Sequence, residues 1–148
     1  MIAYKIFIKG DCLKIFEIAN DDEVRQSSFN SDKIDLEDHK KWFKNILNDD
    51  STKFFVLEYE DDIIGQLRFD FDEEYPVISI SVNKNYRGLG LSKYLLNKGI
   101  KYIDKSDKIV AYIKKDNIKS ISFFESMGFK KNDDVIIKNC EAFKFIRS

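Results

Sequence analysis

The segment 86–92 carries the residue types that hold a phosphate group. It reads Tyr-Arg-Gly-Leu-Gly-Leu-Ser, and it lies between an apolar strand pattern and a helix pattern. Gly88 and Gly90 allow backbone conformations that a Cβ would block. Successive N–H groups at the start of a helix bind anions, and Arg87 adds a cation beside them. The segment therefore predicts a site for a phosphate-bearing cofactor.

Spacing excludes two common phosphate-binding motifs. A P-loop needs two glycines separated by four residues and then Lys-Ser or Lys-Thr, and no such string occurs. A dinucleotide fingerprint needs a third glycine where Lys93 stands. What remains is Arg-Gly-x-Gly-x-Ser after a strand, which resembles the acetyl-CoA loop of the GNAT N-acetyltransferases.

A second motif follows at 117–129. It resembles the second GNAT signature, a helix that begins at an asparagine and ends in Gly-Phe. Asp116 or Asn117 is the candidate N-cap, and the apolar residues recur at helical spacing. Gly128 fits the position after a helix, where a left-handed residue is common. The two signatures stand in the order expected for this family.

Composition predicts one globular domain covering residues 1–148. Hydrophobic residues make up 43% and charged residues 34% of the chain, and the net charge is −1. Without a dense basic block we expect no nucleic-acid partner, and without an apolar run of about 20 residues we expect no membrane span. Cys12 and Cys140 lie far apart and His39 is the lone histidine, so we expect no metal site and reduced thiols in a cytoplasmic protein.

Apolar and turn patterns predict the element order β-α-α-β-β-β-α-β-α-β-β. The strands are expected at 4–8, 53–60, 63–70, 76–83, 108–113, 135–137 and 142–146. The helices are expected at 13–19, Leu36–Leu47, 91–104 and from Asn117, whereas 21–35 is expected to be turn-rich. This mixed α/β order is similar to the GNAT fold. That fold has a central mixed, mostly antiparallel sheet of about seven strands flanked by about four helices.

The resemblance implies direct attack of an amine on the thioester of acetyl-CoA. The residues that it places on acetyl-CoA are Ile80, Ser81 and Val82 of the central strand, Arg87, Gly88, Leu89, Gly90, Leu91 and Ser92 of the loop, and Asn117, Ser120 and Phe124 of the following helix. A backbone N–H near Val82 would polarise the thioester carbonyl, a contribution of about 3 kcal/mol.

One residue departs from the family pattern. Many GNAT enzymes have a tyrosine where this chain has Phe124, and that tyrosine protonates the departing thiolate. Phe124 cannot donate a proton. Because a thiol of pKa about 8.5 is a tolerable leaving group, the loss need not abolish activity. Tyr86 or water would then take this role, or the reaction would be slower.

The proton acceptor is less well defined. Ser79 and Ser81 alternate with the apolar residues of their strand and would order a water that relays the amine proton. Two serines on a half-polar strand are the simpler interpretation. Glu58, Asp70 and Asp72 lie on or near the predicted hairpin, and His39 has a suitable ordinary pKa. The candidate catalytic residues are Ser79, Ser81, Glu58 and His39.

The acceptor side carries a more distinctive pattern at 20–25, 28–31, 37–43 and 65–70. It resembles the GNAT branch that acetylates amino groups of nucleotide-linked amino sugars, and within it the 4-amino-sugar N-acetyltransferases of pseudaminic-acid biosynthesis. Arg25 or Arg68 would pair with an acceptor diphosphate, and Trp42 or Phe43 would stack on a base or sugar. The simpler alternative is that both aromatic residues belong to the core. The candidate acceptor-binding residues are Arg25, Phe29, Asn30, Trp42, Arg68 and Asp70.

Two other functions remain open at the level of sequence. A protein N-terminal acetyltransferase of the ribosomal-protein type shares the early Asn-Asp-x-x-Val-Arg pattern, and its peptide would require an acidic, open cleft. A module that binds acyl-CoA without turnover would explain Phe124 and the absence of an obvious base. In each case we expect a monomer or a homodimer.

Overall fold

Seven strands form one mixed sheet in the computed structural model, which describes residues 2–6, 11–105 and 107–148. They are β1 (Ile2–Ile6), β2 (Thr52–Tyr59), β3 (Asp62–Asp70), β4 (Val77–Val82), β5 (Ile109–Lys114), β6 (Lys130–Ile137) and β7 (Cys140–Arg147). Their spatial order is β1-β2-β3-β4-β5-β7-β6, and each neighbouring pair is antiparallel except β4 and β5, which are parallel. The predicted mixed, mostly antiparallel sheet is confirmed.

The described residues form five α-helices, one more than expected. They are α1 (Cys12–Ala19), α2 (Asp22–Ser27), α3 (Leu36–Leu47), α4 (Leu91–Ile100) and α5 (Ile118–Ser126). The additional helix, α2, lies in the segment expected to be turn-rich. It has six residues, none of them buried, so it shows no apolar period. Polar groups define its start, because the Asp21 carboxylate accepts the N–H of Val24 at 3.3 Å.

Several element boundaries differ from the sequence prediction, most clearly those of α4 and β6. Helix α4 ends at Ile100, and a tighter turn follows, in which Ile103 donates to the Ile100 carbonyl and still reaches the core. Strand β6 begins five residues earlier than expected, because its first half is polar and exposed at the sheet edge. Strand β1 is described from Ile2 to Ile6, and residues 7 and 8 of the predicted strand lie outside the described residues.

Apolar side chains on the two faces of the sheet form separate cores. The main core joins the sheet to α4 and α5 through residues such as Phe69, Leu95 and Phe124. The second core joins the opposite face to α1 and α3 through residues such as Ile15 and Phe43. Because side chains alternate along a strand, β2 and β3 contribute residues to both cores. A residue's place in this alternation therefore decides which helices it meets.

His39 belongs to the second core. Its side chain is 2% exposed, and its ring centroid lies 5.1 Å from that of Phe16 and 5.4 Å from that of Trp42. Nε2 lies 3.0 Å from the Cys12 carbonyl oxygen, which only accepts, so Nε2 carries the proton. Burial lowers the pKa of His39, and the hydrogen bond to Cys12 opposes this only in part.

We predict that His39 makes the fold sensitive to mild acid. Its pKa is lower in the folded than in the unfolded chain, so its contribution is complete above about 6.5 and is lost as the pH falls below that value. Denaturant titrations of the wild type should show a lower free energy of unfolding at about pH 5.5 than at about pH 7.5. His39→Phe should reduce this difference, and an unchanged pH profile in the variant would contradict the assignment.

Candidate active site

The two parallel strands β4 and β5 separate soon after they meet. Of their described residues, Val77 and Val110 alone form a register pair, supported by a 2.9 Å bond from the Val110 N–H to the Pro76 carbonyl. Beyond that point β4 continues beside β3 and β5 beside β7. The inner edges of β4 and β5 therefore face a gap, and their unpaired backbone groups are available to an extended ligand.

A cavity of about 630 Å³ opens at this gap and connects both faces of the sheet. The described residues that line it come from several strands, helices and loops. From the β4 and β5 edges come Ile78, Ser79, Ile80, Ser81, Val82, Ala111, Tyr112 and Ile113; from α2 and its loop Glu23, Val24, Arg25, Ser27, Ser28, Phe29 and Asn30; from the remainder Arg68, Arg87, Ser92, Asn117, Lys119, Ser120, Phe123, Phe124, Ile137 and Lys138.

The glycine loop supplies a backbone cradle next to this cavity. Gly88 and Gly90 have φ angles of 82° and 76°, and Gly90 is the N-cap of α4. A Cβ built at either glycine meets no heavy atom within 4 Å, so open space lies in front of both. This cradle fits a pyrophosphate held by N–H groups at the start of α4. Leu89 is 70% exposed and the Leu91 side chain enters the core, so each would contribute backbone only.

Arg87 has protein partners that the sequence did not predict. Its guanidinium donates to the Glu23 carboxylate at 2.7 Å and to the Asp21 carboxylate at 2.6 Å. Lys119 of α5 also lies 3.5 Å from Glu23. Burial opposes the charge on Asp21, but hydrogen bonds from Arg87 and Val24 lower its pKa. These contacts join the start of α2 to the glycine loop and to α5.

Helix α5 closes the cavity on the face of the main core. The Asn117 side chain accepts the Ser120 N–H at 3.2 Å and so caps the helix, as one of the two predicted caps. Gly128 has a φ of 89° and occupies the predicted position after the helix end. Phe124 is 6% exposed and packs edge-on against Phe123 and Phe129, with its ring at the cavity wall.

Arg68 is the main charged group on the opposite face. Its Nε donates to Asp70 at 3.0 Å, and its Nη2 donates to the Ser79 hydroxyl at 3.3 Å. Its Cζ lies 5.7 Å from the centre of the Trp42 ring. Trp42 and Asp70 are not among the cavity-lining residues, whereas Arg68 is. Trp42 and Asp70 therefore position the Arg68 guanidinium, and Arg68 is the residue that would contact the substrate. Phe43 is buried in the second core, and Phe29 is the aromatic residue at the acceptor wall.

Arg25 lines the cavity, but its guanidinium joins the end of α1 to the loop that follows α2. Nε donates to the Ala19 carbonyl at 2.7 Å, Nη1 to the Asn30 carbonyl at 3.0 Å and Nη2 to the Ser28 hydroxyl at 3.1 Å. Burial lowers the pKa of Arg25. The expected pairing of Arg25 with an acceptor diphosphate is therefore corrected, because these donors hold the wall that carries Phe29 and Asn30.

The structure separates the four candidate catalytic residues into two groups. Ser79 and Ser81 line the cavity, on the strand face opposite Ile78 and Val82. Glu58 lies on β2 opposite Ala3 and Ile63, away from the cavity. His39 is enclosed by the second core. Neither Glu58 nor His39 lies where it would contact the reacting amine. The prediction that either residue is the general base is therefore corrected.

Sequence reasoning missed several residues that the fold brings to the cavity. Tyr112 reaches it from β5, Lys119 from α5, Lys138 from the turn between β6 and β7, and Glu23 from α2. Tyr112 was hidden within an apolar strand pattern, and the two lysines resembled ordinary surface residues. Among the described residues that line the cavity, five are Arg or Lys and Glu23 alone is acidic.

The described part of the chain contains no helix long and apolar enough to cross a membrane. Within that same part, no three His, Cys, Asp or Glu side chains are grouped so as to hold a metal ion.

The chain belongs to the acetyltransferase (GNAT) family, whose model matches residues 13–129. It is accordingly an acyltransferase enzyme, and its acyl donor is acetyl-CoA. The open cradle at Gly88 and Gly90 and the gap between β4 and β5 fit that donor.

Individual relatives are distant in sequence and close in fold. The chain is 27% identical over 124 residues to acetyltransferase PseH of Campylobacter jejuni, covering 81% of this chain and 77% of the relative. The spermidine N-acetyltransferase of Vibrio cholerae, solved with CoA and spermine, superposes with a TM-score of 0.85 at 16% identity, over 98% and 94% of the two chains. A ribosomal-protein-alanine N-acetyltransferase from Brucella melitensis superposes with a TM-score of 0.81 at 19% identity, over 98% of each chain.

Gly90→Asp tests the glycine loop, with Gly90→Asn as its matched control. Both side chains tolerate a positive φ and have nearly the same shape, so the pair differs mainly in charge. A carboxylate about 4 Å from the pyrophosphate costs ~1–4 kcal/mol, so calorimetry should show CoA binding at least about fivefold weaker for Asp than for Asn. Equal affinities in the two variants would contradict the loop assignment.

Glu23→Gln tests whether the Glu23 carboxylate competes with the cofactor for Arg87. Removing the negative charge leaves Arg87 and Lys119 freer to meet a phosphate, so CoA affinity should rise by roughly threefold or more. The exposed pair Glu37 and Lys40 on α3 gives the control variant Glu37→Gln. A weaker affinity for CoA in Glu23→Gln would instead mean that Glu23 holds the loop in its binding conformation.

Proposed function

We propose that this enzyme transfers acetyl from acetyl-CoA to the amino group of a nucleotide-linked deoxy amino sugar. The observation that carries the proposal is the charge of the cavity lining, where four cations besides Arg25 outnumber the one carboxylate, Glu23, among the described lining residues. An acceptor that brings a diphosphate is favoured by such a wall, whereas an acceptor that is itself a polycation is opposed.

The cations form two groups, one beside the site for the cofactor and one on the face where the acceptor would enter. Arg87 and Lys119 lie beside the glycine loop and face the cofactor pyrophosphate. Arg68 lies across the gap, on the face of α1 and α3, where the acceptor would enter. Its bonds to Asp70 and Ser79 leave further N–H donors of the guanidinium for a phosphate oxygen.

The sequence resemblance to the 4-amino-sugar N-acetyltransferases of pseudaminic-acid biosynthesis supports the same acceptor class. The 27% identity to PseH extends over most of both chains. Phe29 offers a ring at the acceptor wall against which a base or sugar would pack. Because nucleotide sugars and acetyl-CoA are cytoplasmic metabolites, we place the activity in the cytoplasm.

Release of CoA from acetyl-CoA, measured against a panel of amines, tests the proposal. The panel contains 4-amino-4,6-dideoxy sugar nucleotides, the corresponding sugars without the nucleotide, ribosomal N-terminal peptides and spermidine. Turnover should be fastest with a sugar nucleotide and much slower with the matching free sugar. Turnover on peptides alone would favour the N-terminal acetyltransferase. If no amine supports release of CoA while CoA still binds, the result would favour a module that binds acyl-CoA without turnover.

Arg68→Gln tests the proposed anchor for the acceptor diphosphate. A charged hydrogen bond contributes about 1.5–3 kcal/mol, so KM for the sugar nucleotide should rise by roughly tenfold or more while KM for acetyl-CoA changes little. Lys44→Gln, which removes an exposed cation on α3, is the control and should leave both KM values unchanged. An unchanged KM for the sugar nucleotide in Arg68→Gln would contradict the anchor.

A further inference from the structure

The transferred proton needs a donor at the cavity, and Phe124 cannot provide one. Its ring lines the cavity from α5 at the position where the family commonly has a tyrosine. Tyr86, the alternative considered from sequence, is not among the lining residues. Tyr112 is the only phenol among the described residues that line the cavity, and it approaches from β5.

Strand alternation places Tyr112 on the acceptor face. Its neighbours Ala111 and Ile113 both enter the main core under α4 and α5, so the side chain of Tyr112 points to the opposite face. The pairing of Val77 with Val110 sets the register between β4 and β5. Tyr112 lies two residues beyond that pairing, as Ser79 does on β4, so both face the start of the gap.

A carboxylate orients the phenol. The Tyr112 hydroxyl donates to the Glu73 carboxylate at 3.1 Å, and Glu73 lies in the loop before β4. Burial and then Glu73 raise the pKa of Tyr112, so the hydroxyl is neutral near pH 7. The cationic groups nearest along the sheet are Lys144, directly opposite on β7, Lys114 on the same face of β5, and Arg68 on β3.

We propose that Tyr112 is a catalytic residue that passes one proton from the acceptor nitrogen to the sulfur of CoA. The acceptor enters as a neutral amine, and its nitrogen forms a bond to the acetyl carbon as the carbon–sulfur bond breaks. The Tyr112 oxygen takes the proton that the nitrogen loses, while its own proton leaves the hydrogen bond to Glu73 and passes to the sulfur. The products are the amide and the CoA thiol, and Tyr112 ends as it began.

The phenol stays neutral throughout this shuttle. A tyrosinate is never released, because the oxygen gains one proton as it loses another. Glu23, the one carboxylate among the described lining residues, is paired with Arg87 and Lys119 and lies at the cofactor loop. Glu73 acts through Tyr112 and is a positioning residue.

Tyr112→Phe tests the proposal because it keeps the ring and removes only the hydroxyl. We expect kcat to fall by about 10²-fold or more, since a positioned acid–base group contributes roughly 10²–10⁴-fold. KM for acetyl-CoA and for the acceptor should stay within about twofold of wild type. Tyr94→Phe, on the exposed side of α4, is the control and should retain full kcat. A Tyr112→Phe enzyme with a kcat within about threefold of wild type overturns the proposal.

Two variants of Glu73 separate positioning from a structural role. Glu73→Gln keeps an oxygen that accepts the Tyr112 hydrogen bond, whereas Glu73→Ala removes it. We expect kcat close to wild type for Gln and about tenfold lower for Ala, with equal melting temperatures. Equal kcat values in the two variants overturn the positioning role.

This inference rests on acetyl transfer itself and is independent of the nucleotide-sugar acceptor. The assay uses whichever amine of the panel turns over fastest. If another amine replaces the sugar nucleotide, the proposed acceptor fails and the Tyr112 comparison is still made.

Discussion

The single pairing between β4 and β5 is the constraint on which the site depends. Each strand keeps its antiparallel partner on the outer side, so the sheet stays intact while the inner edges part. A buried backbone group without a hydrogen bond costs about 1–3 kcal/mol. An extended ligand with amide groups can satisfy these edges as an added strand would. The gap also lets one cavity reach both faces of the sheet, so a donor and an acceptor can meet from opposite sides.

Charge within the cavity differs from charge on the whole chain. The chain has a net charge of −1, yet cations from β3, the glycine loop, α5 and the β6–β7 turn line the same cavity. A low-dielectric cleft lined by one sign of charge concentrates ligands of the opposite sign. Asp21 and Glu23 balance part of this field at Arg87, which couples the start of α2 to the cofactor loop.

The acceptor wall depends on polar contacts more than on apolar packing. Helix α2 has no buried residue, and it is held by Arg87 at its start and by Lys114, whose ammonium donates to the Gln26 carbonyl at 2.8 Å. Arg25 joins the end of α1 to the loop after α2, through the Ala19 and Asn30 carbonyls and the Ser28 hydroxyl. Segments with little apolar burial open at low free energy, so this wall is well suited to admit a substrate. Acceptor choice can then change through this short segment without disturbing either core.

The sequence alone determined the parts of this protein that depend on local rules. Gly88, Gly90, the Asn117 cap and the Gly128 helix end act within a few residues, and apolar periodicity placed most of the elements, whereas the family resemblance implied the class of sheet. Helix α2 was not predicted because none of its six residues is buried and they show no apolar period. The start of β6 was not predicted because an exposed edge strand lacks an apolar face.

Tertiary structure decided the rest. It placed the Arg25 guanidinium in hydrogen bonds with groups before and after α2, and it enclosed His39 in the second core. It also brought Tyr112 to the cavity beside Glu73, 39 residues away in sequence. Such roles depend on which distant groups the sheet register and helix packing bring within hydrogen-bond distance, and no local pattern carries that information.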